Sequence, residues 1–138
     1  MTNKSELGKF GEDVACEYLR DLGYQVLERN VRRTYGELDI VAKDSAGVLA
    51  FVEVKTMYAS EFLKPEDNLT SAKLKKFQRI ASLFAGAHAN LIRDDRGWRV
   101  DLLAISIPNE YGTPTPHELT RKEKDVLYKS ISFYQNIC

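Results

Sequence analysis

Apolar residues in the first stretch of the chain recur at the spacing of one helix face: Leu7, Phe10, Val14, Tyr18 and Leu22. Asn3 with Glu6 three residues later makes a capping-box pattern at its start, and Gly23 supplies an end. Tyr24 to Arg29 predicts a first strand, followed by a basic connection with Arg29, Arg32 and Arg33. Glu37 to Lys43 and Val48 to Lys55 predict two more strands, joined by the turn Asp44-Ser45-Ala46-Gly47 as an antiparallel hairpin. Residues 57–69, with Pro65 and several acids, predict a loop. Thr70 caps a second helix running to about Ala89, with Leu74, Phe77, Ile80, Ala81 and Phe84 as its apolar face. Trp98 to Ile107 is the last clear strand, and Pro108, Gly112, Pro114 and Pro116 mark residues 108–117 as a linker. Thr120 and Glu123 repeat the capping-box pattern and open a C-terminal helix with Val126, Leu127, Ile131 and Tyr134 inward. The order α-β-β-β-α-β with a helical tail predicts an α/β fold, a mixed sheet flanked by helices. Residues 1–107 form the expected α/β domain, and 108–138 a linker and helix packed on it.

Composition narrows the function classes. The 138 residues are 43% hydrophobic and 29% charged, ordinary for a globular chain and enough for one core. Twenty basic residues balance 20 acidic ones, so no global charge marks a nucleic-acid binder; any such surface must come from local segregation of charge. Met1 to Lys9 lacks the apolar stretch of a signal peptide, and the longest apolar run, Val48 to Val52, is too short to cross a membrane. Two cysteines, Cys16 and Cys138, and two isolated histidines, His88 and His117, exclude a disulfide framework and a zinc-finger spacing. The expected setting is a reducing cytoplasm.

Against this background the two central strands stand out. Both are mostly apolar, yet Asp39 lies in one and Glu53 and Lys55 in the other. Charged groups are rarely buried unless paired or bound to metal. Side chains alternate along a strand, so Glu37, Asp39 and Val41 share a face, as do Leu49, Phe51, Glu53 and Lys55. Glu53 and Lys55 are then about 7 Å apart. A register that sets Asp39 opposite Glu53 places two carboxylates face to face beside an ammonium. Such a pair takes up a proton unless a cation lies between them. A hard divalent ion with oxygen ligands, most simply Mg²⁺, resolves the conflict, with the Val54 carbonyl as a further ligand. The plain alternative is a cross-strand salt bridge of Asp39, Glu53 and Lys55.

Two helical residues point the same way. Glu12 sits at the edge of the first apolar stripe, near Gly8 and Gly11, glycines that each cost a helix about 1 kcal/mol and permit close approach. It either reaches the strands or is a solvated glutamate. Lys73 falls inside the apolar stripe of the second helix, whereas Lys75, Lys76 and Arg79 fall on the opposite side. An inward lysine calls for an anion, a carboxylate or a phosphate; the alternative is a side chain snorkelling from the first turn. Thr70 to Arg93 carries five Lys or Arg and no acid. With Arg29, Arg32 and Arg33, this gives two local basic patches able to hold phosphates, or else two solvated faces.

Taken in order, Gly8-x-x-Gly11-Glu12 with Ala15, Arg29-Asn30-x-Arg32, Gly36-Glu37-Leu38-Asp39, Phe51-Val52-Glu53-Val54-Lys55 and Lys73 resemble the YraN-like family of small bacterial proteins. That family is similar to the restriction-endonuclease-like superfamily with its PD-(D/E)xK site, and in layout to archaeal Holliday junction resolvases. The resemblance covers roughly residues 8–107. It implies a restriction-endonuclease-like core, Asp39 and Glu53 as metal ligands, Lys55 as the active-site lysine and Glu12 as the helix-borne acid. Three departures stand out: Met57 in place of an arginine, Val100-Asp101 in place of an aromatic-Asp pair, and the tail beyond about residue 108.

The expected activity is therefore a nuclease dependent on Mg²⁺ or Mn²⁺ that hydrolyses DNA phosphodiesters, with structured or branched DNA as substrate. Asp39, Glu53 and Glu12 are the expected metal ligands. Lys55 and Lys73 complete the catalytic set, and Arg29, Arg32, Arg33, Lys75, Lys76 and Arg79 are the expected nucleic-acid contacts. Resolvase-like relatives are often dimers, and a homodimer suits the two-fold symmetry of a four-way junction. The alternative is a binding module on the same fold, for nucleic acid or protein, with weak or no catalysis.

Overall fold

Helix α1 (Lys4–Asp21) stops where Gly23 takes φ +92°, letting the Gly23 and Tyr24 N–H groups cap carbonyls of the last turn. Strand β1 (Gln25–Arg33) follows, then β2 (Gly36–Lys43) and β3 (Leu49–Tyr58). Helix α2 (Ser71–Ala87), capped by the Thr70 hydroxyl, crosses to β4 (Trp98–Ile107). Helix α3 (Arg121–Tyr128) opens with the Thr120–Glu123 capping box, and β5 (Ile131–Tyr134) closes the order. The computed structural model describes residues 4–59, 70–93, 95–109 and 120–137. The predicted cap at Asn3, most of the loop around Pro65, His117, most of the 108–117 linker and Cys138 lie outside those residues.

The five strands form one mixed sheet in the order β1-β2-β3-β4-β5, with β3 and β4 parallel and the other neighbours antiparallel. This is an α/β fold, consistent with the restriction-endonuclease-like core that the motifs imply. Helix α1 buries Leu7, Phe10, Val14 and Leu19 against Ile40, Val52 and Leu103 on one face. Helix α2 buries Ile80, Ala81 and Phe84 against Val41, Phe51 and Val100 on the other. Two glycines permit the close approaches. A Cβ at Gly11 would overlap the Thr56 side chain of β3, and one at Gly36, where φ is +146°, would overlap Ile80 of α2.

Several expectations are corrected. The basic stretch at Arg29 to Arg33 is the second half of β1 rather than a connection, because its residues pair with β2 as far as Arg33 and Gly36. β3 continues to Tyr58 because β4 pairs with it along its whole length. Leu22 is exposed, since it follows the end of α1. Gly8 has open space beside it, so only Gly11 serves close approach. The tail is not one helix: α3 ends at Tyr128, Val126 is exposed, and Ile131 and Tyr134 lie in a strand that pairs with β4. Ile131 and Phe133 of β5 pack against the α1-side core, where Phe133 meets the Tyr18 and Tyr24 rings edge-on.

Candidate active site at a fork in the sheet

The β2–β3 ladder runs from Lys43↔Leu49 only as far as Ile40↔Val52. Beyond that pair β2 stays bonded to β1 and β3 stays bonded to β4, so the two central strands part. Asp39 and Glu53 are the next residues on each side of this fork. The register is thus the one that sets them opposite. In place of a ladder bond, the Asp39 carboxylate accepts the Val54 N–H at 2.9 Å. A short polar side chain takes over the backbone's role here, which holds Asp39 in one place.

Three carboxylates gather at the fork. Asp39 and Glu53 are half-buried and share a hydrogen bond, so one of them carries a proton. Burial, the Asp39 charge and that hydrogen bond push the Glu53 carboxyl up to about 9, against a weaker pull downward from Lys55. Glu12, from α1, is within hydrogen-bonding reach of Asp39 and is pushed up to about 7, chiefly by burial and then by the Asp39 charge. Asn30 and Arg29 act on Glu12 the other way. Among the described residues, no three His, Cys, Asp or Glu side chains are drawn together closely enough to enclose an ion. The donors are all hard oxygens, and burial together with the Asp39 charge favours the protonated form of Glu53 and Glu12. That chemistry fits a hard divalent cation and suits no soft metal.

Asp39, Glu53 and Lys55 face α2. They line one wall of a cavity of about 530 Å³. Lys73, Lys76 and Phe77 of α2 line another part, with Ile80 and Leu102 apolar beside them. Lys73 is exposed yet borders the site, as expected of a residue in the first turn of α2. Lys76 is corrected: it borders the same cavity rather than the solvent side, because three residues along a helix bring it back beside Lys73. Lys75 and Arg79 are exposed.

The β1 arginines divide. Arg29 is half-buried and bonded to Asp13 at 2.6 Å, with its Nε buried and unpaired. Its guanidinium is engaged between α1 and β1. Arg32 and Arg33 are exposed, in loose pairs with Glu37 at 4.0 Å and Glu28 at 3.7 Å.

A family model described as "Uncharacterised protein family UPF0102" matches residues 11–105, a span holding the whole cluster from Glu12 to Lys76. The chain belongs to the UPF0102 family. This is the YraN-like family that the motifs resemble. It is 40% identical over 102 residues to a UPF0102 protein of Persephonella marina, covering 74% of this chain and 83% of that one. To a UPF0102 protein of Mycolicibacterium smegmatis it is 38% identical over 108 residues, covering 75% and 82%. A third, from Caldicellulosiruptor saccharolyticus, is 43% identical over 82 residues, covering 59% and 69%.

Two residues of this UPF0102 protein join the site without having been assigned to it from sequence. Asn30 has φ +50°, uncommon outside glycine, in the middle of β1. Its neighbours pair as Arg29↔Ile40 and Val31↔Leu38, so Asn30 stands opposite Asp39, and its side chain bonds Glu12. An asparagine flanked by strand residues was the available signal, since Asn tolerates the left-handed region. Phe77 passes for an ordinary core position in the helical pattern, yet it is only half-buried and borders the cavity.

Proposed function

We propose that this UPF0102 protein is a divalent-metal-dependent nuclease that hydrolyses DNA phosphodiesters. The observation that carries this is the convergence of Asp39, Glu53 and Lys55 on a cavity bordered by Lys73 and Lys76, with Glu12 reaching Asp39 from α1. Three acids gathered in a partly buried fork serve no purpose in stability. They become useful when a cation is to be held. Asp39, Glu53 and Glu12 would hold Mg²⁺ or Mn²⁺, which when bound supplies Lewis-acid polarisation of a phosphate oxygen and lowers the pKa of water.

The chain's own groups do the rest. Asp39 is fixed by the Val54 N–H and so presents one orientation to the fork. Lys55, exposed at the mouth of the cavity, orients the attacking water and neutralises charge that builds on phosphorus. Lys73 and Lys76 hold the flanking phosphates, and Arg32, Arg33, Lys75 and Arg79 extend the contact along the backbone without reading sequence. Asn30 keeps Glu12 turned toward Asp39. A homodimer placing two such sites on a branched DNA is the assembly proposed with this activity.

A binding module that does not cut is the second reading, favoured by Met57 standing where the family resemblance leads one to expect an arginine. One experiment separates the two. Purified protein is incubated with labelled duplex, single-stranded, flapped and four-way DNA, with Mg²⁺ or Mn²⁺. Cleavage that disappears in Asp39→Ala and Glu53→Ala is the expected result. No cleavage of any substrate, with binding unchanged in both variants, leaves the binding module.

A further inference from the structure

The cavity beside the carboxylates has more apolar wall than a phosphate alone requires. Glu37, Asp39, Glu53, Lys55, Lys73 and Lys76 form its polar lining; Phe77, Ile80 and Leu102 form its apolar wall. Its volume, about 530 Å³, lies within the roughly 300–1,000 Å³ typical of pockets for single small molecules. It has room for a nucleotide and is far too small for a turn of duplex. A phosphate reaching Asp39 and Glu53 brings the neighbouring base to this apolar wall. In a duplex that base is stacked and paired, and it must leave the stack to enter such a pocket.

The charges fit the same occupant. Lys73 and Lys76 stand one helical turn apart at the border of the cavity, with Phe77 beside them. Cationic side chains interleaved with an aromatic are the means by which proteins hold unpaired strands: the cations follow the backbone and the ring stacks on a base of any identity. Phe77 is only half-buried although it packs against the α2-side core, so part of its surface remains for contact. We infer that the cavity between β3 and α2 receives an unpaired nucleotide next to the scissile phosphate. The substrate is then DNA with a single-stranded stretch, flap or unpaired junction arm, and Phe77 is the stacking platform. The inference deepens the nuclease reading and relies on it for DNA as the ligand.

The test uses full-length protein carrying Glu53→Gln, so that binding is read without cutting. Fluorescence anisotropy compares labelled DNA of one sequence as single strand, flapped duplex and fully paired duplex. The two forms with unpaired nucleotides are expected to bind about tenfold tighter than the paired duplex. Phe77→Ala, added to the same protein, is expected to remove most of that preference while leaving affinity for paired duplex unchanged. Phe77→Leu, which keeps an apolar side chain in the core, is expected to do the same if the alanine variant does not fold. Equal affinity for paired duplex, or an equal loss on all substrates in Phe77→Leu, overturns the inference. Wild-type cleavage at internal sites of intact duplex overturns it too, and leaves the nuclease reading standing. A Phe77-dependent preference in a protein that cuts nothing supports the pocket and ends the nuclease reading.

Discussion

At Glu53, burial and the neighbouring Asp39 carboxylate act in the same direction, and the folded pKa rises from an ordinary 4.5 to about 9. Between those values the folded chain holds a proton that the unfolded chain has released. Stability of the metal-free protein therefore falls as pH rises from about 4.5 to about 9. Glu53→Gln removes this dependence. Without divalent ions at pH 8, its melting temperature is expected to exceed that of wild type. Added Mg²⁺ is expected to raise the wild-type melting temperature and leave the variant unmoved. An equal Mg²⁺ response in both would exclude Glu53 as a ligand. Asn30 gives a second single-residue test. Its φ of +50° suits glycine, so Asn30→Gly is expected to fold with near wild-type stability, while Asn30→Val loses about 1–2 kcal/mol in urea unfolding. Asp39, Glu53 and Lys55 are legible in the sequence because charge is improbable in apolar strands. Asn30 is not, because its importance comes from φ and from standing across a ladder from Asp39.

Among the elements, α1 carries two glycines three residues apart with opposite roles. A Cβ at Gly8 meets nothing within 4 Å, so Gly8→Ala is expected to stabilise by up to about 1 kcal/mol through helix propensity alone. A Cβ at Gly11 meets Thr56, so Gly11→Ala is expected to cost about 1–3 kcal/mol by overpacking. Combining it with Thr56→Ala should recover part of the loss, a non-additivity measurable in a double-mutant cycle. Full additivity would place the cost elsewhere in α1. The helical period reveals that both positions are glycine but not which one meets the sheet. β1 and β3 run longer than their sequences suggest for a related reason. Partners from distant parts of the chain prolong them, and local pattern holds no record of a partner.

Across the whole molecule, the C-terminal segment is joined to the sheet by β5, which pairs with β4, and by a buried polar network. Asp101, fully buried, accepts both the Arg99 Nε–H at 3.1 Å and the Asn136 N–H at 2.8 Å. Arg99 also donates to Asp44 at 2.6 Å and to the Tyr24 hydroxyl at 2.7 Å. Burial pushes the Asp44 carboxyl up, but Arg99 and the Val48 and Ala46 N–H groups outweigh it and hold it below the ordinary carboxylate range. A depressed folded pKa contributes stability that is present above the unfolded value and is lost as pH falls through the folded one. Asp44→Asn is thus expected to cost about 1.5–3 kcal/mol near pH 7. In urea melts the difference from wild type should close as pH drops below about 4. A gap that persists at low pH would mean that shape rather than charge carries the effect.

By itself the sequence determined the order of the first six elements, the charged residues of the two central strands, and, through its motifs, the resemblance to the family. The elements and the charged strands follow from periodicity, turn chemistry and the rarity of charge in apolar strands, all local properties, and the family from the likeness of the ordered motifs. Tertiary structure alone decided the rest. The sheet forks just where the carboxylates stand, which lets Glu12 arrive from a helix on the other face. Lys76 turns toward the site and Arg29 toward Asp13, because each answers to whatever packs beside it. The last residues became a strand rather than helix because β4 offered an unpaired edge, and an edge to pair with is supplied by the fold, not by the segment that fills it.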